Sequence, residues 1–384
     1  MKTSNTNKET KLDNQYLDNL KYKTPYYVFD RNKIKSNIDQ FRNLLPDVSI
    51  HYAMKSNPHP EVLKTIHMHG SGFEIASSNE LKQLVKLKVS PKDILYSAPV
   101  KSEQFIKEAY EYGVDRFAFD SLSELDKISR VAPRSKVYLR IFVSEHGSRF
   151  SLSEKFGAKL DSALELMEYA QKIGLEVFGL TFHIGSQAVS KSTWTYAIRT
   201  AANVMNILLE NNIKIKMLDI GGGFPIEYTE PAPSINDICA VINKAIKTYV
   251  PYHVQLVIEP GRAIVATSAV LVSSVIARIK RGRNMWLFMD AGAYNSLFET
   301  LESQTSMRFE VSTSELKDND KTKTTQYTIT GPTCDSIDTM MRDVRLSSQL
   351  TVGDKLYFQD VGAYSIALAN SFNGFAPPEA YFIN

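Results

Sequence analysis

Eight short β-rich runs, each followed by a segment of helical length, occupy the chain from about residue 48 to residue 260. The runs are SIHYAM (49–54), GFEIAS (72–77), DILYSA (93–98), DRFAFD (115–120), KVYLRIFV (136–143), EVFGLTFH (176–183), KMLDIGG (216–222) and VQLVIEP (254–260). Between them lie segments of helical periodicity, such as SALELMEYAQKIG (162–174) and YAIRTAANVMNILLENN (196–212), often closed by Gly or Asn. Alternation of this kind implies parallel strands joined by helical crossovers. Eight units match a (β/α)8 TIM barrel. An open doubly wound sheet of the dinucleotide type wants a GxGxxG turn after an early strand, and the chain has none. The expectation is an α/β chain with a barrel over residues 34–266.

Beyond residue 266 the texture changes. ATSAVLVSSVIARIKR, WLFMDAG, QYTITGPTCD, KLYFQDVGAYSI and PEAYFIN are β-branched and aromatic runs separated by turns, the pattern of a mainly antiparallel β domain. YYVFD (26–30) is expected to join it, so the second domain is residues 1–33 with 267–384, a β-sandwich or β-barrel. Residues 1 to about 15 are polar and read as a flexible tail, with no apolar core of the signal-peptide kind. SELKDNDKTKTTQ (314–326) reads as a charged hairpin tip or mobile loop.

Charge and cysteine usage narrow the partners. A net charge of +3 without a basic block gives no footprint for nucleic acid. No run approaches the roughly 18 apolar residues of a membrane span. Two distant cysteines, Cys239 and Cys334, exclude a disulfide framework and fit a reducing cytoplasm. A small-molecule ligand remains the natural expectation.

In a (β/α)8 barrel the chemistry sits at the C-terminal strand ends. Lys55, Glu74, His183, Gly221–Gly223 and Glu259 all fall there. Lys55 in HYAMKSNPHP is either a surface residue or an amine held at a pocket; lysines are seldom buried without a partner. Gly221-Gly222-Gly223-Phe-Pro is either a flexible turn or a phosphate cradle, three glycines letting backbone N–H groups converge on an anion. Glu259 and Arg262 in EPGR could pair with each other. Alternatively Arg262 and the Gly261 N–H face the same phosphate while Glu259 meets a positive ring nitrogen. His183 in FHIGSQ is either a satisfied core histidine or a flat ring stacked on a planar cofactor, with Ser186 offering a hydroxyl to phosphate. Pyridoxal 5′-phosphate (PLP), held through the Lys55 amine, accounts for all of these together.

These motifs are ordered along the chain as YAMKSNP (52–58), GFEIASSNEL (72–81), SRFSLSEKFG (148–157), FHIGSQ (182–187), GGGFP (221–225), EPGR (259–262), GPTCDSID (331–338), VGAYS (361–365) and SFNGF (371–375). In this the chain resembles the fold-type III, alanine-racemase-like PLP decarboxylases of basic amino acids, above all bacterial ornithine and lysine/ornithine decarboxylases. The resemblance implies Lys55 as the Schiff-base lysine and His183 as the ring-stacking histidine. It implies phosphate contacts from Ser186, Gly221, Gly222, Gly223, Gly261, Arg262 and Tyr364. Glu259 matches the acid at the pyridine nitrogen, Arg149 an active-site arginine, and Glu74 and Glu80 an acidic pair near the lysine. The first of that pair is more often Asp. Cys334 matches a cysteine that reaches the partner protomer's cofactor and returns a proton to Cα. Asp335 matches an acid beside the substrate's distal amine. A head-to-tail homodimer with two shared active sites is implied.

DAGAYNSLFETLES (290–303) corresponds to the family segment that reads the far end of the substrate. Ala293-Tyr294 stands there in place of Lys-Phe, Glu302 in place of Asp and Ser303 in place of Glu. Glu299 and Glu302, three apart, share a face of any short helix. The expected reaction is decarboxylation of L-ornithine to putrescine, with lysine to cadaverine beside it. An acyl- or citryl-ornithine siderophore intermediate is the alternative substrate. A PLP-dependent racemase and a non-catalytic decarboxylase-like regulator are the alternatives of another class.

Overall fold

The structure, a computed structural model, describes residues 12, 14–144, 146–150, 155–302, 307–314 and 323–384, without the side chain of Glu302. Residues 1–11 and 13 of the expected tail, and 315–322 of the expected charged loop, lie outside the described residues. The chain divides into two compact units, Asn32–Ala266 and Met1–Arg31 with Thr267–Asn384.

The chain order opens with α1 (Asn14–Asn19), β1 (Tyr26–Asp30) and α2 (Arg31–Leu44). Then follow β2 (Val48–Ala53), α3 (Pro60–Met68), β3 (Gly72–Ile75), α4 (Ser78–Lys86), β4 (Ile94–Tyr96), α5 (Glu103–Tyr112), β5 (Arg116–Phe119), α6 (Leu122–Val131) and β6 (Lys136–Arg140). The next elements are β7 (Ser148–Phe150), α7 (Ala163–Lys172), β8 (Glu176–Thr181), β9 (Ser186–Ala188) and α8 (Lys191–Glu210). β10 (Met217–Asp219), α9 (Ile235–Tyr249), β11 (Gln255–Ile258) and α10 (Arg262–Val265) complete the unit.

Eight of these strands close a barrel in the order β10-β11-β2-β3-β4-β5-β6-β8. Every pairing is parallel, and β11 closes onto β2 with Leu256 opposite Val48 and Ile258 opposite Ile50. Each of the eight β-rich runs supplies one strand. Leu95, Ala118, Tyr138, Met217 and Val257 pack together as a buried cluster drawn from five different strands. Such side-chain layers make a barrel interior a filled core rather than a pore. Local chemistry sets the helix limits: Ser102 Oγ accepts the Phe105 N–H at the start of α5, and Gly113 at φ +106° ends it.

Two details differ from the pattern reading. KVYLRIFV leaves the barrel after Arg140, and the chain then forms an antiparallel ribbon of β7 with β9 that was not expected. Its three-residue strands are too short to show a period. Helix α8 begins at Lys191 rather than near 196, because Thr193 and Trp194 already face the interior.

The other unit contains α1, β1, β12 (Ala269–Arg281), β13 (Asn284–Met289), α11 (Glu299–Glu302), β14 (Val311–Thr313), β15 (Thr324–Thr330), β16 (Thr339–Ser347), β17 (Lys355–Phe358) and β18 (Glu379–Ile383). Six strands run β14-β17-β12-β13-β15-β16, with β1 joined to β12 and β18 to β1. Pairing is mainly antiparallel; β13 with β15 and β1 with β18 are parallel. β12 serves two groups, pairing β1 and β17 through Ser274 and β13 from Val275 onward, with a register shift between Val275 and Ala277. A bulge of this kind bends a strand and lets it serve both.

The ends of two expected loops are ordered. Asn14 and Gln15, placed in the tail, begin α1, because Leu17 is buried with Tyr26, Val28, Val270, Val272 and Tyr357. Thr324–Gln326, placed in the charged loop, pair with Ser347, Leu346 and Arg345 as the start of β15.

Candidate active site

Lys55 stands in a 3-10 turn, Met54–Ser56, directly after β2. Ser56 Oγ donates to Ala53 O and to the Tyr52 hydroxyl at 2.9 Å each, and Tyr52 donates to Asn57 O at 3.0 Å. These bonds fix a turn whose lysine residue is itself exposed. The amine lines a cavity of about 220 Å³ with Glu74, Ser97, Arg140, Phe156, His183 and Glu259. All of them lie at or just beyond the C-terminal ends of barrel strands, apart from Phe156.

Charge and burial give these groups different duties. Glu74, only 4% exposed, is pushed up to about 7 by burial, against the pull of the Lys55 ammonium. Glu80 is also lifted to about 7, by burial and then by Glu74. Its carboxylate accepts the Ala76 N–H at 2.6 Å, while Ser77 Oγ accepts the Glu80 N–H at 3.3 Å, a capping-box arrangement at the start of α4. His183 is held well below the usual imidazole range by burial and by the charges of Lys55 and Arg140. Its Nδ1 accepts the Gly185 N–H at 3.0 Å, so the neutral ring carries its proton at Nε2. Glu259 is raised well above the carboxylate range, first by burial and then by Asp219. A carboxyl so desolvated is ready to ionise against a cation.

Beside the cavity the chain folds into a cradle. Asp219 ends β10 and accepts the Gly221 N–H at 2.9 Å, which turns the backbone into Gly221-Gly222-Gly223. Gly221 has φ +68°, and a Cβ there would lie 2.1 Å from Phe182 O; at Gly223, with φ +104°, it would lie 2.4 Å from Gly185 O. Only glycine fits either position. Arg262, on α10, donates to Ser186 Oγ at 3.3 Å and to the Tyr228 hydroxyl at 2.9 Å. Gly261 is packed so closely on Ser56 that a Cβ would come within 2.9 Å of the serine Cβ.

The family model of the pyridoxal-dependent decarboxylases, pyridoxal binding domain, matches residues 31–266. The chain belongs to the pyridoxal-dependent decarboxylase family. It is 35% identical over 356 residues to the lysine/ornithine decarboxylase of Selenomonas ruminantium, covering 92% of this chain and 88% of that protein. Its fold is similar to the crystal structure of lysine/ornithine decarboxylase complexed with putrescine from Vibrio vulnificus, with a TM-score of 0.86, 30% identity and 95% of each chain covered. It is also similar to the Paramecium bursaria Chlorella virus arginine decarboxylase bound to agmatine, with a TM-score of 0.89, 32% identity and 96% and 99% coverage. The chain is thus a carboxy-lyase with pyridoxal phosphate as cofactor.

The donor set fits that cofactor: an amine for the aldehyde, a glycine cradle with Ser186 and Arg262 for the phosphate, and a buried acid for the ring nitrogen. The structure brings Lys55, Glu74, His183 and Glu259 to one cavity, and Ser186, Arg262 and the glycines to the cradle. Arg149 is not among the cavity-lining residues; it sits on β7, where its guanidinium donates to Pro231 O at 3.1 Å. Sequence reasoning missed Ser97, Asp219, Arg140 and Tyr138. Ser97, Asp219 and Arg140 stand at the strand ends of the quoted runs, so strand-end position was the available signal; Tyr138, in the middle of β6, gave none.

The remaining expected residues belong to the other unit. Cys334 is an exposed free thiol in the turn between β15 and β16, and its N–H donates to Asn373 Oδ1 at 3.0 Å. Asp335 accepts the Tyr294 hydroxyl at 2.6 Å and the Ile337 N–H at 3.0 Å. Glu299 is buried on α11. The side chain of Glu302, and Ser303, lie outside the described residues. Tyr364 follows β17 at φ +55°.

Proposed function

We propose that this protein decarboxylates a basic L-amino acid, with L-ornithine to putrescine and carbon dioxide as the leading reaction and lysine to cadaverine beside it. The observation that carries the reading is the convergence of Lys55, Glu74, His183 and Glu259 on one cavity at the strand ends. Bound pyridoxal phosphate supplies the electron sink for the pair left when the Cα–carboxylate bond breaks. Lys55 would provide the amine that holds its aldehyde. Glu259 keeps a proton on the ring nitrogen by opposite charge. His183, neutral and flat, covers the ring and excludes water. The glycine cradle, Gly261, Ser186, Arg262 and Tyr364 hold the phosphate.

Substrate reading is assigned to the 290–303 segment and the GPTCDS turn. Asp335 and Glu299 are the acids we assign to the distal ammonium, and pairing of this kind discriminates against neutral side chains. Cys334 would return a proton to Cα in the partner's site, which makes a homodimer the proposed active form. We place the protein in the cytoplasm: its two cysteines are free, and among the described residues no helix is long and apolar enough to cross a membrane. The altered segment 293–303 keeps a modified ornithine in view as substrate.

Carbon dioxide release from ornithine, lysine, arginine and acyl-ornithine tests the reading. Turnover is expected on ornithine first and lysine second. Preference for acyl-ornithine overturns the substrate, and loss of optical rotation without carbon dioxide replaces decarboxylation by racemisation.

A further inference from the structure

Three buried side chains with no role so far surround Glu259. Ser97 Oγ lies 2.5 Å from Glu259 Oε1 and 2.9 Å from the Tyr138 hydroxyl. Asp219, fully buried, stands beside Glu259 and raises the cost of ionising it. Its two oxygens accept the Gly221 N–H at 2.9 Å and the Thr181 hydroxyl at 3.0 Å. The Glu259 N–H in turn donates to Gly221 O at 2.8 Å, so the ends of β10 and β11 are held in one register. Two carboxyls in contact away from water cannot both ionise, and one proton stays on the pair. The charged and titratable groups around it are Lys55 after β2, Glu74 on β3, Tyr138 and Arg140 on β6, and His183 after β8.

Which acid keeps the proton depends on what stands at the ring end. Without a cation there, the Gly221 N–H and the Thr181 hydroxyl stabilise the Asp219 carboxylate and leave the proton on Glu259. A positive ring nitrogen stabilises the Glu259 carboxylate, and the only acid touching it is Asp219 among the described residues. We propose that Asp219 is a positioning residue that carries the pair's proton when the cofactor is bound, leaving Glu259 as the single negative charge at the ring nitrogen, held in place by Ser97. The step is internal. An O–H bond at Glu259 breaks, an O–H bond at Asp219 forms, and the pair's net charge stays at minus one. The proposal rests on the reading of this cavity as the cofactor site.

Infrared difference spectra of the protein labelled with carboxyl-¹³C aspartate or glutamate test it without any substitution. In cofactor-loaded protein at neutral pH, a protonated-carboxyl band is expected to move with aspartate label. On removal of cofactor it is expected to pass to the glutamate label; Glu259→Gln separates it from the bands of Glu74 and Glu80. Asp219→Asn is expected to remove the aspartate band; pyridoxal phosphate affinity is read on the Ser97 variants, because Asp219 also holds the Gly221 turn of the cradle. Ser97→Ala weakens that affinity by about tenfold, the worth of a bond to a charged group, and Ser97→Thr restores it. Loaded protein without an aspartate-sensitive band overturns the proposal. Wild-type affinity in Ser97→Ala removes Ser97 from it. Wild-type protein that gains no yellow colour with pyridoxal phosphate defeats the underlying cofactor reading instead.

Discussion

Tyr294 donates its hydroxyl to Asp335 at 2.6 Å, and its ring lies against Phe372 with centroids 4.8 Å apart. That bond, followed by the Ile337 N–H, holds the Asp335 carboxyl below the usual carboxylate range. The pairing links the altered segment that begins at Asp290 to the GPTCDS turn, the two segments proposed to read the substrate. A carboxylate held by these two donors has a defined direction, and Tyr294 helps to set it.

Asp335→Asn is therefore expected to lower kcat/KM for ornithine by about a hundredfold or more, since a positive end group loses its charged partner. Tyr294→Phe is expected to lose about tenfold, through one hydrogen bond to a charged group. Pyridoxal phosphate affinity should stay at the wild-type value in both. Steady-state kinetics with equilibrium cofactor titration check this; wild-type kcat/KM in Asp335→Asn shows that another acid reads the distal amine.

Lys55→Ala should abolish turnover and leave no borohydride-reducible adduct with pyridoxal phosphate. Peptide mapping of reduced wild-type protein should find the adduct at residue 55. An adduct elsewhere would move the tether to a different lysine.

The proposed sharing of sites between protomers is tested by a mixing experiment. Lys55→Ala and Cys334→Ala lesions fall on complementary halves of each site if Cys334 serves the partner. Reassorted in equal amounts, half of the dimers are mixed and each of these carries one intact site of two. Activity should recover to roughly a quarter of wild type. Activity no higher than that of the separate variants would place both residues in the same protomer's site.

Burial of His51 in β2, with the charge of Arg116 beside it, lowers its pKa to about 3 from an ordinary 6.5. Between those values the unfolded chain binds the extra proton, so stability falls as pH drops through the window. His183 acts in the same direction. Glu74 and Glu80, raised to about 7, act oppositely between 4.5 and 7, where the folded chain holds the extra protons. His51→Gln should therefore lose less stability than wild type between pH 6.5 and pH 4, by about 2–3 kcal/mol. Urea unfolding at the two pH values measures it, and an unchanged loss would assign the acid limb to other groups.

Gly221→Ala combines left-handed backbone with a Cβ placed 2.1 Å from Phe182 O. It should destabilise the protein by about 2 kcal/mol or more and weaken phosphate binding. Gly282→Ala, at φ +61° with no atom within 4 Å of the added Cβ, isolates the backbone cost at about 1 kcal/mol. Thermal melting of the pair separates clash from strain; equal losses would mean the cradle yields.

The alternation of β-rich and helical segments determined the barrel, because parallel strands with helical crossovers are the way to bury runs such as KVYLR and VQLVI on both faces. Strand-end position then identified Lys55, Glu74, His183 and Glu259, since a barrel gathers such residues at one rim whatever their separation along the chain. Tertiary structure alone decided what those residues feel. That Glu259 touches Asp219 and Ser97, that His183 stays neutral beside Lys55 and Arg140, and that Tyr294 caps Asp335 depend on atoms brought together from distant segments. Periodicity carries no trace of them, because it records which face of an element is buried and not which side chain waits on the other side.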